Sequence, residues 1–275
     1  MIIDCHVHAD NRKNVLNLLK SMKTNDIGAS VILYFPLWKK PGYLSLEKLI
    51  PVVAEHPNLY LAGSIKMIDN NDFDRHFKIL QRAIQNKDII AIKLYPGYEP
   101  FFPSDSVCDP IYKLCTENKI PVIFHSGDTW WLFPTSKVRY ADPIYIDDVA
   151  ANYPELKILI AHLGNPWIKE TAEVVSKNQN VFTDLSGILY PPYHNSRFEK
   201  RYTENLKESL LDLVAYYGDT DKLLFGTDFP LYGQKKYIEF INSIREFNGT
   251  DRDNILFKNA MNFFASTGIK KDESF

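Results

Sequence analysis

Cysteine is scarce in this 275-residue chain: Cys5, Cys108 and Cys115 form an odd set at irregular spacing, which fits neither a disulfide framework nor a zinc-knuckle pattern. A reducing compartment is the expected setting. No apolar run approaches the ~18 residues of a membrane span. Met1-Ile2-Ile3-Asp4 runs straight into structure, without a basic stretch followed by an apolar one. The expectation is a cytoplasmic protein with no membrane partner. An excess of one charge is also missing. The 32 Lys and Arg balance 34 Asp and Glu to a formal charge of −2, with the signs interspersed, which disfavours a nucleic-acid partner. No Gly/Ser linker, low-complexity tract or internal repeat divides the sequence, so residues 1–275 read as one domain.

What the chain has is an alternation of short β-branched and apolar runs with longer amphipathic ones. Strands are expected over Ile2–His8, Ala29–Phe35, Leu59–Ile65, Ile89–Leu94, Pro121–His125, Leu156–Ala161, Val181–Leu185 and Lys222–Phe225. Runs such as Val31-Ile32-Leu33-Tyr34 and Ile158-Leu159-Ile160-Ala161 are continuously apolar, as strands covered on both faces should be. Helical patterns cover Val15–Met22, Leu44–Glu55, Asp72–Gln85, Pro110–Glu117, Pro143–Tyr153, Ile168–Lys177, Tyr202–Tyr217 and Gln234–Phe247, with a final one over Asp253–Ala265. Asp72 looks like an N-cap. Repeating βα units of roughly 30 residues suit a (β/α)8 TIM barrel, with an open doubly wound sheet as the competing fold. The longest irregular stretches, Pro36–Gly42, Tyr95–Asp109, Ser126–Asp142 and Ser186–Arg201, each follow a strand's C-terminal end, where such a barrel builds its pocket.

Histidines mark those same ends. His6-Val7-His8 closes the first strand, and residues two apart on a strand project the same way. His125 and His162 are each the first polar residue after an apolar strand, and Asp228 follows shortly after the last one. The intervals from His8 to His125 (117 residues), to His162 (37) and to Asp228 (66) correspond to four, one and two βα units. Strands 1, 5, 6 and 8 of a closed barrel can therefore aim their ends at one point. Imidazoles plus a carboxylate suit Zn²⁺ and related divalent ions. The plainer alternatives are a solvated strand end for His6 and His8, a backbone-bonded core histidine for His125, and an N-cap for Asp228.

Ile3-Asp4-Cys5-His6-Val7-His8, Ile92-Lys93-Leu94-Tyr95-Pro96, Phe124-His125, Ala161-His162-Leu163-Gly164, Gly226-Thr227-Asp228-Phe229-Pro230 and Asn259-Ala260 occur in an order that resembles the amidohydrolase superfamily. The nearest branch is the amidohydrolase-2 group, which includes aminocarboxymuconate-semialdehyde decarboxylase. The resemblance implies a metal centre held by His6, His8, His125 and Asp228, with one Zn²⁺ per chain expected. It implies that Asp228 also serves as general acid/base. His162 would stand beside the metal to polarise substrate or orient water, or act as a further ligand. Lys93 sits where some members of the superfamily carry a carboxylated, metal-bridging lysine; a contact to a substrate anion is the favoured role here, and a structural salt bridge is the third. Trp130, with Trp131 and Phe133, is expected either to wall the site or to pack against the neighbouring loop, and His194 is a candidate to line its mouth. Cys5 is read as core. The expected reaction is hydrolysis of a C–N or C–O bond in a small carboxylate-bearing molecule, with non-oxidative decarboxylation as the alternative; the short chain tilts the balance towards hydrolysis. A catalytically silent metal-binding scaffold is disfavoured because every expected ligand is present. A homo-oligomer is left open.

Overall fold

The protein is described by a computed structural model covering residues 1–37, 41–68, 71–189 and 197–269. Eight strands, β1 (Ile2–Val7), β2 (Ile27–Leu33), β3 (Leu59–Ser64), β4 (Ala91–Leu94), β5 (Val122–Phe124), β6 (Ile158–Ile160), β7 (Val181–Asp184) and β8 (Leu223–Leu224), pair in chain order as one parallel sheet. Between them run α1 (Arg12–Thr24), α2 (Leu46–Ala54), α3 (Phe73–Gln85), α4 (Asp109–Asn118), α5 (Ile144–Asn152), α6 (Ile168–Lys177) and α7 (Glu199–Tyr217), and α8 (Gln234–Ser243) follows β8. This is the expected (β/α)8 barrel. No described helix is long and apolar enough to cross a membrane.

The apolar runs serve two layers because successive strand side chains point to opposite faces. Val31, Leu33, Ala62, Ile123, Leu159 and Leu224 pack with one another inside the barrel. Ile32, Leu61, Ile92, Val122, Ile158 and Val181 join Leu18, Leu49 and Leu80 of the helices. The expected last helix is broken into α9 (Gly249–Asp253), a π-helical turn over Asn254–Lys258, and α10 (Asn259–Phe263). Its Phe263 and the following Phe264 join the interior layer, with Phe263 5.0 Å from Phe182 at the start of β7. They plug the end of the barrel opposite the strand C-termini. The helical pattern over Gln234–Phe247 stops at Ser243, because the backbone turns extended at Ile244 (ψ 109°). Asp72 takes the N-cap position of α3 without a side-chain capping bond.

Two local features position the site. Along β1, Asp4 pairs with Ser30 and Val7 with Ile32, so β1 carries one residue more than β2 over this span. Such a bulge re-aims side chains: Cys5 joins the interior apolar layer, while the two strand-end histidines both turn to the barrel mouth. Cys5 is buried, as expected of a core residue. The barrel then closes where the segment after β8 returns to β1, through Cys5 N–H to Phe225 O at 2.9 Å and Asp228 N–H to His6 O at 2.8 Å. Buried Asp4 staples this seam. Its carboxylate accepts from the Thr227 hydroxyl (2.7 Å), Gln234 Nε2 (2.8 Å) and Thr227 N–H (3.1 Å). Burial pushes the Asp4 carboxyl up to about 7 against the pull of these donors.

Removing the Asp4 acceptor strands buried donors, each costing about 1–3 kcal/mol. Asp4→Ala is therefore expected to lower unfolding free energy by about 3 kcal/mol or more in urea titration, and Asp4→Asn by less. An unchanged midpoint for Asp4→Ala would remove the seam from the stability argument.

Candidate metal centre

The strand ends bring His6, His8 and Asp228 together: Asp228 Oδ1 lies 3.1 Å from His8 Nε2 and 3.7 Å from His6 Nε2. Two imidazole nitrogens and a carboxylate oxygen within 4.8 Å of one another form a donor set a divalent ion can use. The other nitrogens are already committed. His8 Nδ1–H donates to Leu33 O at 2.8 Å, and His6 Nδ1–H to Asp184 Oδ2 at 2.9 Å. Outer partners of this kind fix the ring orientation and aim Nε2 at a metal position. Without an ion, burial lowers the His8 imidazole but Asp228 prevails and raises it, accepting its Nε2–H, the proton a metal would displace. Burial, reinforced by Lys93, pushes His6 down to about 3 despite Asp184, so the ring is neutral as a ligand must be. For Asp228, burial opposes ionisation, but the His8 bond and the surrounding imidazoles prevail and hold the carboxyl well below its ordinary value.

His125, expected as the third imidazole ligand, does not join the converging atoms. Its Nε2–H donates to Asp128 O at 2.8 Å, which leaves Nδ1 as the lone-pair nitrogen, and its ring lies 5.0 Å from that of His162. His162 also approaches His6, with ring centroids 4.7 Å apart. Its Nδ1–H is shared between the Ser186 carbonyl oxygen (3.0 Å) and hydroxyl oxygen (2.9 Å), leaving Nε2 free.

A second group, His6, His162 and Asp184, was not anticipated from the sequence. Asp184 ends β7 and accepts from His162 N–H (3.0 Å), Ser186 N–H (2.9 Å) and the Ser186 hydroxyl (2.5 Å), besides His6. Burial opposes its charge, but His6, His162 and Lys93 hold the carboxyl far below the usual range. The available signal was a lone acidic side chain at the end of an otherwise uncharged strand. Backbone geometry fits the same arrangement: His162 and Asp228 adopt φ of 63° and 62°, left-handed conformations uncommon for residues other than glycine. Gly187 has φ +67°, and a Cβ there would fall 2.7 Å from His162 Nδ1.

Above this floor opens a cavity of about 600 Å³. Trp130 lines it, with Phe133, Tyr98, Tyr95 and Phe35. Phe35, Tyr95, Tyr98 and Phe133 meet edge to face, with Tyr98 4.7 Å from His125 and 5.2 Å from Phe133, and Trp130 is tilted against Phe133. Lys93 departs from expectation: it is fully buried and is not among the residues lining the cavity. Its Nζ has no hydrogen-bond partner, so among the described residues it does not form the structural salt bridge considered for it. It faces the interior on β4, and its charge acts on the floor residues His6, His125, Asp184 and Asp228. Burial pushes its amine down to about 7, with Asp184 and Asp228 opposing. His194 lies outside the described residues.

The Amidohydrolase family model matches residues 3–265. The 2-amino-3-carboxymuconate-6-semialdehyde decarboxylase of Dictyostelium discoideum is 23% identical over 274 residues, covering 89% of this chain and 75% of that protein. Among solved structures, an uncharacterised TIM-barrel protein from Bordetella bronchiseptica superposes with a TM-score of 0.73 at 21% identity, over 98% of this chain and 99% of that one. A probable 2-pyrone-4,6-dicarboxylic acid hydrolase from Acinetobacter baumannii follows at 0.70 and 13% identity, over 96% and 99%. At these identities the structural likeness is one of fold.

Two measurements address the centre. His6→Ala and His8→Ala are each expected to lose bound zinc on dialysis while wild type keeps about one ion per chain; full retention in either removes that residue from the ligand set. Lys93 tests the electrostatics. Unfolding returns its amine from about 7 to the ordinary 10.5, so between those values the unfolded chain binds the extra proton and wild-type stability rises with pH. The stability advantage of metal-free Lys93→Met over metal-free wild type should thus shrink from pH 7 to pH 9.5. A constant difference would mean that Lys93 is not desolvated.

Proposed function

The chain belongs to the amidohydrolase family, and on that premise we propose that it is a metal-dependent decarboxylase acting on a small, planar, unsaturated or aromatic acid. The observation that carries this reading is an aromatic-walled cavity ending on His6, His8 and Asp228 beside His162. Flat rings suit a flat substrate. The Dictyostelium relative, a decarboxylase by name, supports the same chemistry. Hydrolysis is the second reading, favoured by the Acinetobacter neighbour. The tilt given by chain length falls away, since a solved 2,6-dihydroxybenzoate decarboxylase from Rhizobium and this chain also cover one another almost fully, to 99% and 97%.

His6, His8 and Asp228 would hold the ion, with His125 Nδ1 as a further candidate donor nearby, and zinc suits this nitrogen-rich set. A bound divalent ion supplies Lewis acidity towards a carboxylate or carbonyl oxygen. The chain's own residues do the rest. The aromatic walls orient the ring and exclude water from its faces. His162, fixed through Nδ1 by Ser186, moves a proton at Nε2, and Asp228 is the second group able to exchange one. A proton added at the carbon bearing the carboxylate lets the C–C bond break, its electron pair staying on the ring as carbon dioxide leaves.

Turnover in D₂O and in H₂¹⁸O separates the readings. Decarboxylation is expected to release carbon dioxide and place one deuterium on the product carbon, with no ¹⁸O in the organic product. Incorporation of ¹⁸O without carbon dioxide would establish hydrolysis instead.

A further inference from the structure

Asp10 follows β1 by three residues, lines the cavity with Asn14 and Tyr43, and is only 7% exposed. Its Oδ1 is buried without a hydrogen-bond partner, and the residue is in neither group of converging metal-ligand atoms. A buried carboxylate oxygen with no donor is costly, by about as much as a lost charged hydrogen bond, so it calls for an external donor. The rest of the lining agrees in sign. Asp128 also faces the cavity, and among the described lining residues there is no lysine or arginine; Lys93 is fully buried and off the wall. Beyond the floor, the cavity therefore offers aromatic rings and negative charge.

We infer that Asp10 is a specificity-determining residue that accepts a hydrogen bond from an amino or hydroxyl group on the substrate. The cavity thereby selects monocarboxylic acids bearing such a donor and rejects dicarboxylic ones. The metal floor can take one carboxylate. A second carboxylate on the same ring would meet Asp10 or Asp128 with no cation on the described walls, and like charges in a partly desolvated cleft repel. A donor at that place satisfies the orphaned oxygen instead. The inference rests on the proposed function only in placing the first carboxylate at the floor.

The test is calorimetric binding to zinc-loaded wild type, Asp10→Asn and Asp10→Ala. The probes are benzoate, the three aminobenzoates, the three hydroxybenzoates, and benzene-1,2- and 1,3-dicarboxylate. At least one amino- or hydroxybenzoate should bind wild type about 10-fold more tightly than benzoate, the range of one charge-assisted hydrogen bond, and both dicarboxylates should bind more weakly than benzoate. Asp10→Ala should erase the donor advantage. Asp10→Asn keeps an acceptor but no charge, so it should retain part of that advantage while narrowing the penalty on dicarboxylates. Zinc content and melting midpoint near wild type show that the variants are folded; if Asp10→Ala does not fold, Asp10→Asn and the wild-type ranking decide.

No donor advantage in wild type, its survival in Asp10→Ala, or a dicarboxylate binding as tightly as benzoate would each overturn the assignment. Donor preference without carbon dioxide release would sink the decarboxylase reading alone. Carbon dioxide release without donor preference would sink the Asp10 assignment alone.

Discussion

Gathering Asp184, Asp228, Lys93 and the strand-end histidines at one end of an otherwise apolar barrel sets the terms for the rest of the structure. Removing a single ion from water costs several kcal/mol even after relaxation, and only close partners repay it. Asp184 meets this demand most completely, taking bonds from His6, Ser186 and the His162 backbone. Each imidazole has one nitrogen tied to a fixed oxygen, His8 to Leu33 and His125 to Asp128. That leaves the other nitrogen for chemistry. Lys93 is the exception, an ammonium with no hydrogen-bonding partner, and it is among the reasons that His6 and His125 stay neutral.

The same demand accounts for the strained turns. β6 and β8 end before their functional side chains, so the chain must fold back to aim His162 and Asp228 at the axis, and both take left-handed backbone. Such conformations cost about 1–2 kcal/mol each for residues other than glycine. They are held by acceptors on neighbouring strands: Asp184 receives the His162 N–H, while Asp4 receives the Thr227 N–H and hydroxyl next to Asp228. Asp4 and Asp184 thus act on the site from outside the cavity lining, through backbone direction.

This division explains what could be read from the sequence. The barrel was legible because several strands are continuous apolar runs, alternating with amphipathic stretches at a regular interval. His6, His8 and Asp228 were legible because a strand's alternation and a barrel's closure both point them inward. Asp184 was not, since its role depends on a hydrogen bond to His6, 178 residues away. Lys93 was placed on the right strand, but pattern alone does not distinguish a side chain on the cavity wall from a fully buried one. The bulge in β1 was equally hidden, being a mismatch of register between two strands.

The floor and the walls carry different information. A floor of imidazoles and a carboxylate suits any reaction that needs a polarised oxygen, so decarboxylation and hydrolysis make the same demand on it. They diverge above it. Hydrolysis must admit a water to the reacting carbon, whereas loss of carbon dioxide needs a proton there and gains from water's exclusion. Phe35, Tyr95, Tyr98, Trp130 and Phe133 come from the loops after β2, β4 and β5, on the side of the mouth that also carries His125. Asp10 comes from the loop after β1 and Asp228 from the turn after β8. On the proposed reading, a flat acid held against the aromatic rings has one face sealed, so its proton would come from His162 or Asp228 while Asp10 would accept from a substituent. The orientation of the ring would then fix which carbon is protonated.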